Sequence, residues 1–197
     1  CWIPESTDIR MLIDVDRIAA FHPTKPLFHD LSFTVSAGDR VGVVGVNGSG
    51  KSTLLRILAG LDRAQAGEIR RRRDLRISTM WQRPDWGDIT ARAVVGPGWE
   101  AAASLDRLGL AGVADRPLGS LSGGQARRVA LAAALADGEA ELLILDEPTN
   151  HLDIAGIEYL ERTMTNFRGG IVLVTHDRHL LDRVGTRVVA LARHDTL

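Results

Sequence analysis

Apolar positions recur along this chain with two periods, close to two in some segments and close to three and a half in others. Residues 11–20 and 27–35 alternate as strands do, split by the turn segment His22–Pro26. Ser36-Ala37-Gly38-Asp39 reads as a turn, and Arg40–Val46 is a Val-rich run of the kind buried on both faces of a sheet. A glycine-rich loop follows, then a helix predicted over Lys51–Ala59 and stopped by Gly60. Strands are expected over Glu68–Arg73 and Leu75–Trp81, short helices near 89–95 and 99–108, and a longer helix over Gly123–Ala136. Leu142–Leu145 reads as a buried strand, and Asp153–Phe167 as a helix, because Ile154, Ile157, Leu160 and Met164 fall at helical spacing. Ile171–Thr175, residues 178–184 and residues 187–192 read as strand, short helix and strand. Alternation of strands with helices predicts an α/β fold with a mainly parallel sheet.

Composition changes across residues 83–120, where Pro, Gly and Ala increase, and this points to a small helical lobe over about 83–137. The remaining organisation is expected to be a leader over residues 1–10 and a single domain over 11–197, with Met11 a plausible start. A formal net charge of −1 gives no bulk attraction to a polyanion. The single cysteine, Cys1, rules out an internal disulfide and fits a reducing, cytoplasmic compartment. No apolar run approaches the roughly 18 residues a membrane span needs, and residues 1–10 lack the basic-then-apolar pattern of a secretory signal.

Three runs carry the chemistry. Gly45-Val46-Asn47-Gly48-Ser49-Gly50-Lys51-Ser52 matches a phosphate-binding loop placed after a strand and before a helix, where backbone N–H groups and the helix N-terminus converge on phosphate oxygens. Lys51 is positioned for the β- and γ-phosphates of ATP, Ser52 for Mg²⁺, and Thr53 completes the loop. Leu142-Leu143-Ile144-Leu145-Asp146-Glu147 delivers two acids at the end of a core strand, Asp146 to hold Mg²⁺ and Glu147 to polarise the attacking water as general base. The second acid favours a competent ATPase over a passive binder. Leu121-Ser122-Gly123-Gly124-Gln125 begins a helix whose N-terminal amides suit an anion. No cysteine or histidine cluster has zinc-ligand spacing.

Together, in this order and spacing, the three runs resemble the nucleotide-binding domain of the ATP-binding cassette (ABC) family, over nearly the whole chain from about Met11. The resemblance implies a P-loop NTPase fold of ABC type, α/β, with a mainly parallel sheet core, an antiparallel β part and a small helical lobe. It implies that Leu121–Gln125 act in trans on ATP held by a second cassette, in the same full-length chain or in a homodimer. It implies that Asp153 lies in a loop crossing the same interface, and that full hydrolysis needs the second cassette. Gln82, by position, is the family glutamine that senses Mg²⁺ and the γ-phosphate, the alternative being a surface polar residue. His176 is the family's switch histidine, whereas His179 reads as a solvated ring. Phe21 stands where the family places an aromatic ring under adenine, the alternative being a core residue.

At subfamily level, Glu147-Pro148-Thr149-Asn150-His151-Leu152-Asp153 and Val174-Thr175-His176-Asp177-Arg178 look like ABC-F proteins, which act on the ribosome in translation or antibiotic protection. That resemblance implies a cytoplasmic protein with the ribosome and its rRNA as partners; a start at Met11 would make this the first cassette of a tandem. The chain departs from the pattern in having no long insertion between Gln82 and Leu121. The alternative is the ATP-binding subunit of a membrane transporter, with Trp86 and Trp99 lining a groove for its membrane partner. Ordinary packing of the lobe is the favoured account of both tryptophans. A third class, DNA-repair or chromosome-associated ABC ATPases, carries long insertions this chain lacks. Arg70–Arg73 either touches rRNA or, as favoured, decorates a solvated edge strand.

Overall fold

The computed structural model describes residues 10–22, 25–80 and 88–191. Strands β1 (Met11–His22) and β2 (Lys25–Ser36) pair antiparallel, and β4 (Ala66–Arg71) adds to the other side of β1, giving a three-stranded sheet in the order β2-β1-β4. A second sheet has the order β5-β6-β7-β3-β8, built from β3 (Arg40–Gly45), β5 (Ile77–Met80), β6 (Leu142–Asp146), β7 (Gly170–Val174) and β8 (Arg187–Leu191). Every pairing in it is parallel. The chain is therefore α/β with a parallel sheet core and an antiparallel part, as the two hydrophobic periods predict.

Each central strand is apolar throughout because it has two faces to bury. On one face Val41, Val43, Leu142, Ile144, Val172 and Val174 pack with helix α1 (Lys51–Leu58) and the antiparallel sheet, through Leu54, Leu55, Ile13 and Ile18. On the other face Leu143, Leu145, Ile171 and Leu173 pack against helix α4 (Gly123–Ala136), helix α5 (Ile154–Asn166) and helix α6 (Arg178–Val184). Helices α2 (Ala91–Val95) and α3 (Trp99–Arg107) join this second cluster through Ala91, Val95, Ala101 and Leu105. Each fully buried Leu or Val contributes on the order of 1.5–3 kcal/mol. Helix α6 comes so close to β3 that a Cβ on Gly42 would lie 2.5 Å from Leu181 Cδ2.

Trp99 departs from the packing expected of it. It is 78% exposed, because the buried face of α3 runs through Ala101, Ser104 and Leu105 and the helix begins with Trp99 off that stripe. Trp86 lies outside the described residues. Arg70–Arg73 does fall at an edge, since β4 has β1 on one side only, but only part of it is solvated decoration. Arg70 pairs with Glu68 at 2.8 Å, while Arg71 turns inward and donates to Leu58 O at 3.1 Å and to Ile57 O, closing the C-terminus of α1. Burial pulls the Arg71 pKa down. Arg72 pairs with Glu141 just before β6. Among the described residues no helix is long and apolar enough to cross a membrane.

Candidate functional site

The carboxyl ends of β3, β6 and β7 meet around a cavity of about 780 Å³, lined by Asn47, Gly48, Gly50, Lys51, Ser52, Thr53, Asp146, Glu147, Asn150, Val174 and His176, with His22 and Leu27 from the antiparallel sheet. That size and position suit a nucleotide. The loop leaves β3 at Gly45 and tightens at once, Ser49 N–H donating to Val46 O at 3.2 Å. Gly50 stands at φ 91° as the N-cap of α1, and no side chain caps the first turn. A Cβ there would meet Leu27 Cβ at 2.9 Å, so both backbone angle and space call for glycine. The free amides of α1 thus face the cavity with the positive end of the helix dipole.

Lys51 is the first residue of α1 and is 9% exposed. Its ammonium donates to Gly45 O at 2.8 Å and Val46 O at 3.2 Å, which centres the charge under the loop. Ser49 Oγ is buried without a partner beside Gly45, whose own Cβ would lie 2.7 Å from it. An anion with several acceptor oxygens fits such a cradle.

Ser52 Oγ donates to Asp146 Oδ2 at 2.9 Å, bridging α1 and β6 across 94 residues. A hydroxyl and a carboxylate side by side, with water free to fill the remaining positions, is a donor set that fits Mg²⁺. Glu147 follows, at φ 50°, in the left-handed region that costs a non-glycine residue about 1–2 kcal/mol. Its N–H donates to Val174 O at 2.8 Å, and Arg127 of α4 donates to Asp146 O at 2.7 Å and Glu147 O at 3.4 Å. These bonds hold the strained backbone. Because β6 and β7 run parallel with Asp146 opposite Val174, Glu147 and His176 leave the sheet together. His176 N–H donates to Glu147 Oε2 at 3.3 Å, and His176 Nε2 lies 3.4 Å from Oε1. The His176 side chain is 64% exposed and the Glu147 side chain 16%. A carboxylate so held, next to a histidine and the phosphate cradle, can order and deprotonate a water.

The run Leu121–Gln125 lies elsewhere, and none of its residues lines the cavity. Ser122 caps α4: its Oγ accepts from Gln125 N–H at 3.2 Å, and Gln125 Oε1 accepts from Ser122 N–H at 2.9 Å. Sequence reading placed the helix start but not this reciprocal capping box, whose signal is the Ser-x-x-Gln spacing. Asp153 caps α5, accepting from Gly156 N–H at 2.8 Å. Phe21 is 49% exposed at the end of β1, so it is not a core residue, and its neighbour His22 is the residue that lines the cavity. Gln82 lies outside the described residues. The sequence pattern did not single out His22, Leu27 or Arg127. All three act across chain separations that periodicity does not sense.

The ABC transporter family model matches residues 28–150. The zinc import ATP-binding protein ZnuC of Cereibacter sphaeroides is 40% identical over 196 residues, covering 93% of this chain and 80% of its own. The energy-dependent translational throttle protein EttA of Mycobacterium tuberculosis is 31% identical over 223 residues, covering 90% of this chain and 40% of its own. A solved ATP-binding subunit of an ABC transporter shares the fold, with a TM-score of 0.76 at 23% identity over 91% of this chain and 85% of that one. A phosphate cradle at the carboxyl ends of a parallel sheet, with paired acids beside it, defines a nucleotide-binding ATPase domain. The chain belongs to the ABC family, as an ATP-binding cassette. It spans well under two thirds of the longer relatives it matches, 36% in one case and 40% in EttA.

Proposed function

We propose that this chain binds and hydrolyses ATP as one half of a two-cassette sandwich, and that it serves an ABC-F protein acting on the ribosome. The hydrolytic part rests on the meeting of Ser52, Asp146, Glu147 and His176 at the phosphate cradle. Gly45–Thr53 hold the phosphates, with Lys51 compensating their charge. Ser52, Asp146 and, by family position, Gln82 hold Mg²⁺, which supplies charge neutralisation at the transferred phosphate. Glu147 orients and deprotonates the attacking water, and His176 holds that carboxylate in place. Phe21 and His22 border the base. Because Leu121–Gln125 stand away from their own cavity, they serve the ATP of a second cassette, with Asp153 at the shared interface.

The ABC-F role is supported by the run that contains His151. That residue stands at φ 66°, and a Cβ on Gly124 of the signature run would lie 3.4 Å from its Cγ. The Asn150-His151-Leu152-Asp153 run thus packs against the signature run of the same chain, and the likeness to EttA covers 90% of the chain. In this role the protein is cytoplasmic and touches rRNA. A second reading, a transporter's ATP-binding subunit, is favoured by two observations. The alignment to EttA is longer than this chain, so EttA holds segments this chain lacks, whereas the alignment to ZnuC runs 196 residues. Exposed Trp99 also leaves an aromatic on the surface of the helical part. To decide, the protein carrying this cassette is trapped with Glu147→Gln in Mg-ATP. Co-sedimentation with ribosomes, lost in ADP, is expected. Recovery with membranes and no ribosome association would establish the transporter reading instead.

A further inference from the structure

Five described non-glycine residues have positive φ, and two of them, Glu147 and His151, lie in the single loop between β6 and α5. Helix α4 touches that loop at both points. Gly124, in its first turn, faces the His151 ring, and Arg127, one turn further on, donates to the carbonyls of Asp146 and Glu147. Among the described residues the Arg127 guanidinium bonds to those two carbonyls and to no carboxylate, and its buried Nε has no partner. A charged fork is thereby dedicated to the backbone that carries the paired acids.

On the reading above, the first turn of α4 engages ATP of the second cassette while Glu147 serves this cassette's own ATP. We infer that Arg127 is a positioning residue that links the two: the seat of the signature run of this chain sets the Glu147 carboxylate of the same chain. The route is short and rigid. A helix holds its residues in register over one turn, so a displacement at Ser122 and Gly124 is carried to the guanidinium. The two carbonyls it holds then move with it, and Glu147, whose left-handed backbone is kept by bonds to Val174, Asn150 and Arg127 together, takes up a shift in any one of them. His151 adds a second bearing point, so tilting of the first turn of α4 is also felt at the far end of the loop. Firing of one site is in this way conditioned on engagement at the other.

The test is a pair of double-mutant cycles on steady-state ATP hydrolysis, with folding checked by thermal unfolding. Arg127→Met keeps length and removes the bonds; kcat is expected to fall about 10- to 100-fold with KM for Mg-ATP nearly unchanged, the loss a small misplacement of a catalytic group brings. Arg127→Lys, which keeps the charge and one donor, is expected to lose only a few-fold, on the scale of one retained hydrogen bond. In a Glu147→Gln background, Arg127→Met should add nothing, because it acts through that carboxylate. In an Arg127→Met background, Ser122→Ala should cost less than it does in the parent chain. Wild-type kcat in the Met or the Lys variant, or losses that multiply in either cycle, would overturn the inference. If Arg127→Met does not fold, the Lys variant carries both cycles with the same expected signs. If Glu147→Gln itself turns over normally, the assignment of the base falls and the inference with it. If Glu147→Gln stops turnover and the Arg127 variants do not, only the inference falls.

Discussion

Lys51 and Glu147 both line the cavity and fail in different ways when changed. Lys51→Ala removes a buried ammonium and its bonds to Gly45 O and Val46 O, so ATP affinity is expected to drop roughly 10- to 100-fold, the worth of one or two charge-assisted bonds. Equilibrium binding of Mg-ATP measures this. Glu147→Gln keeps the shape and loses the base, so binding is expected to survive while kcat falls on the order of 10²-fold or more. Near-normal turnover would move the base role to another group, and His176 is the neighbour at hand. At this scale the phosphate loop was legible as a glycine turn between β3 and α1, because its form is set by local backbone chemistry and spacing. The acids were legible as types and places. The left-handed backbone of Glu147 was not, because it is held by Val174 and Arg127 from distant parts of the chain.

The elements follow the hydrophobic periods closely, with α4 and α6 found at the bounds the pattern predicts and most strand ends within a residue or two. What the pattern did not state is how elements are closed against each other. Arg71, read as part of an exposed basic run, ends α1 from 13 residues away by bonding Leu58 O. Arg71→Met would leave the last carbonyls of α1 without that donor, and a loss of about 1–3 kcal/mol in stability is expected from denaturant unfolding, whereas Arg73→Met, on an exposed side chain, should change little. The Arg72–Glu141 pair ties β4 to the start of β6, and the Arg72 guanidinium holds the Glu141 carboxyl below its usual range. A carboxyl lowered in the folded state stabilises the protein above its unfolded value, near ~4.3, and that stability fades as pH falls through the folded value. Wild type is thus expected to exceed Glu141→Gln by less than about 1 kcal/mol at neutral pH, since the pair is partly solvated, and by nothing in strong acid. An equal difference at every pH would show that the charge is not the cause.

For the molecule as a whole, the proposed two-cassette sandwich makes self-association the governing variable. The isolated chain is expected to bind Mg-ATP as a monomer and hydrolyse it slowly, with specific activity climbing as protein concentration rises or a partner cassette is added. Full turnover by a proven monomer, unchanged on dilution, would mean that one cassette suffices. The strand order has a further consequence, in time rather than in space. Strand β7 is the last of the three that frame the cavity to be made, yet it lies between β3, which leads into the phosphate loop, and β6, which carries the acids. Until it inserts, β3 and β6 have no common neighbour. During synthesis the phosphate loop therefore emerges long before anything can aim it at Asp146, and the cavity closes only after Val174 has left the ribosome. A nascent chain arrested before Gly170 has emerged from the ribosome should not retain nucleotide, and one from which His176 has emerged should.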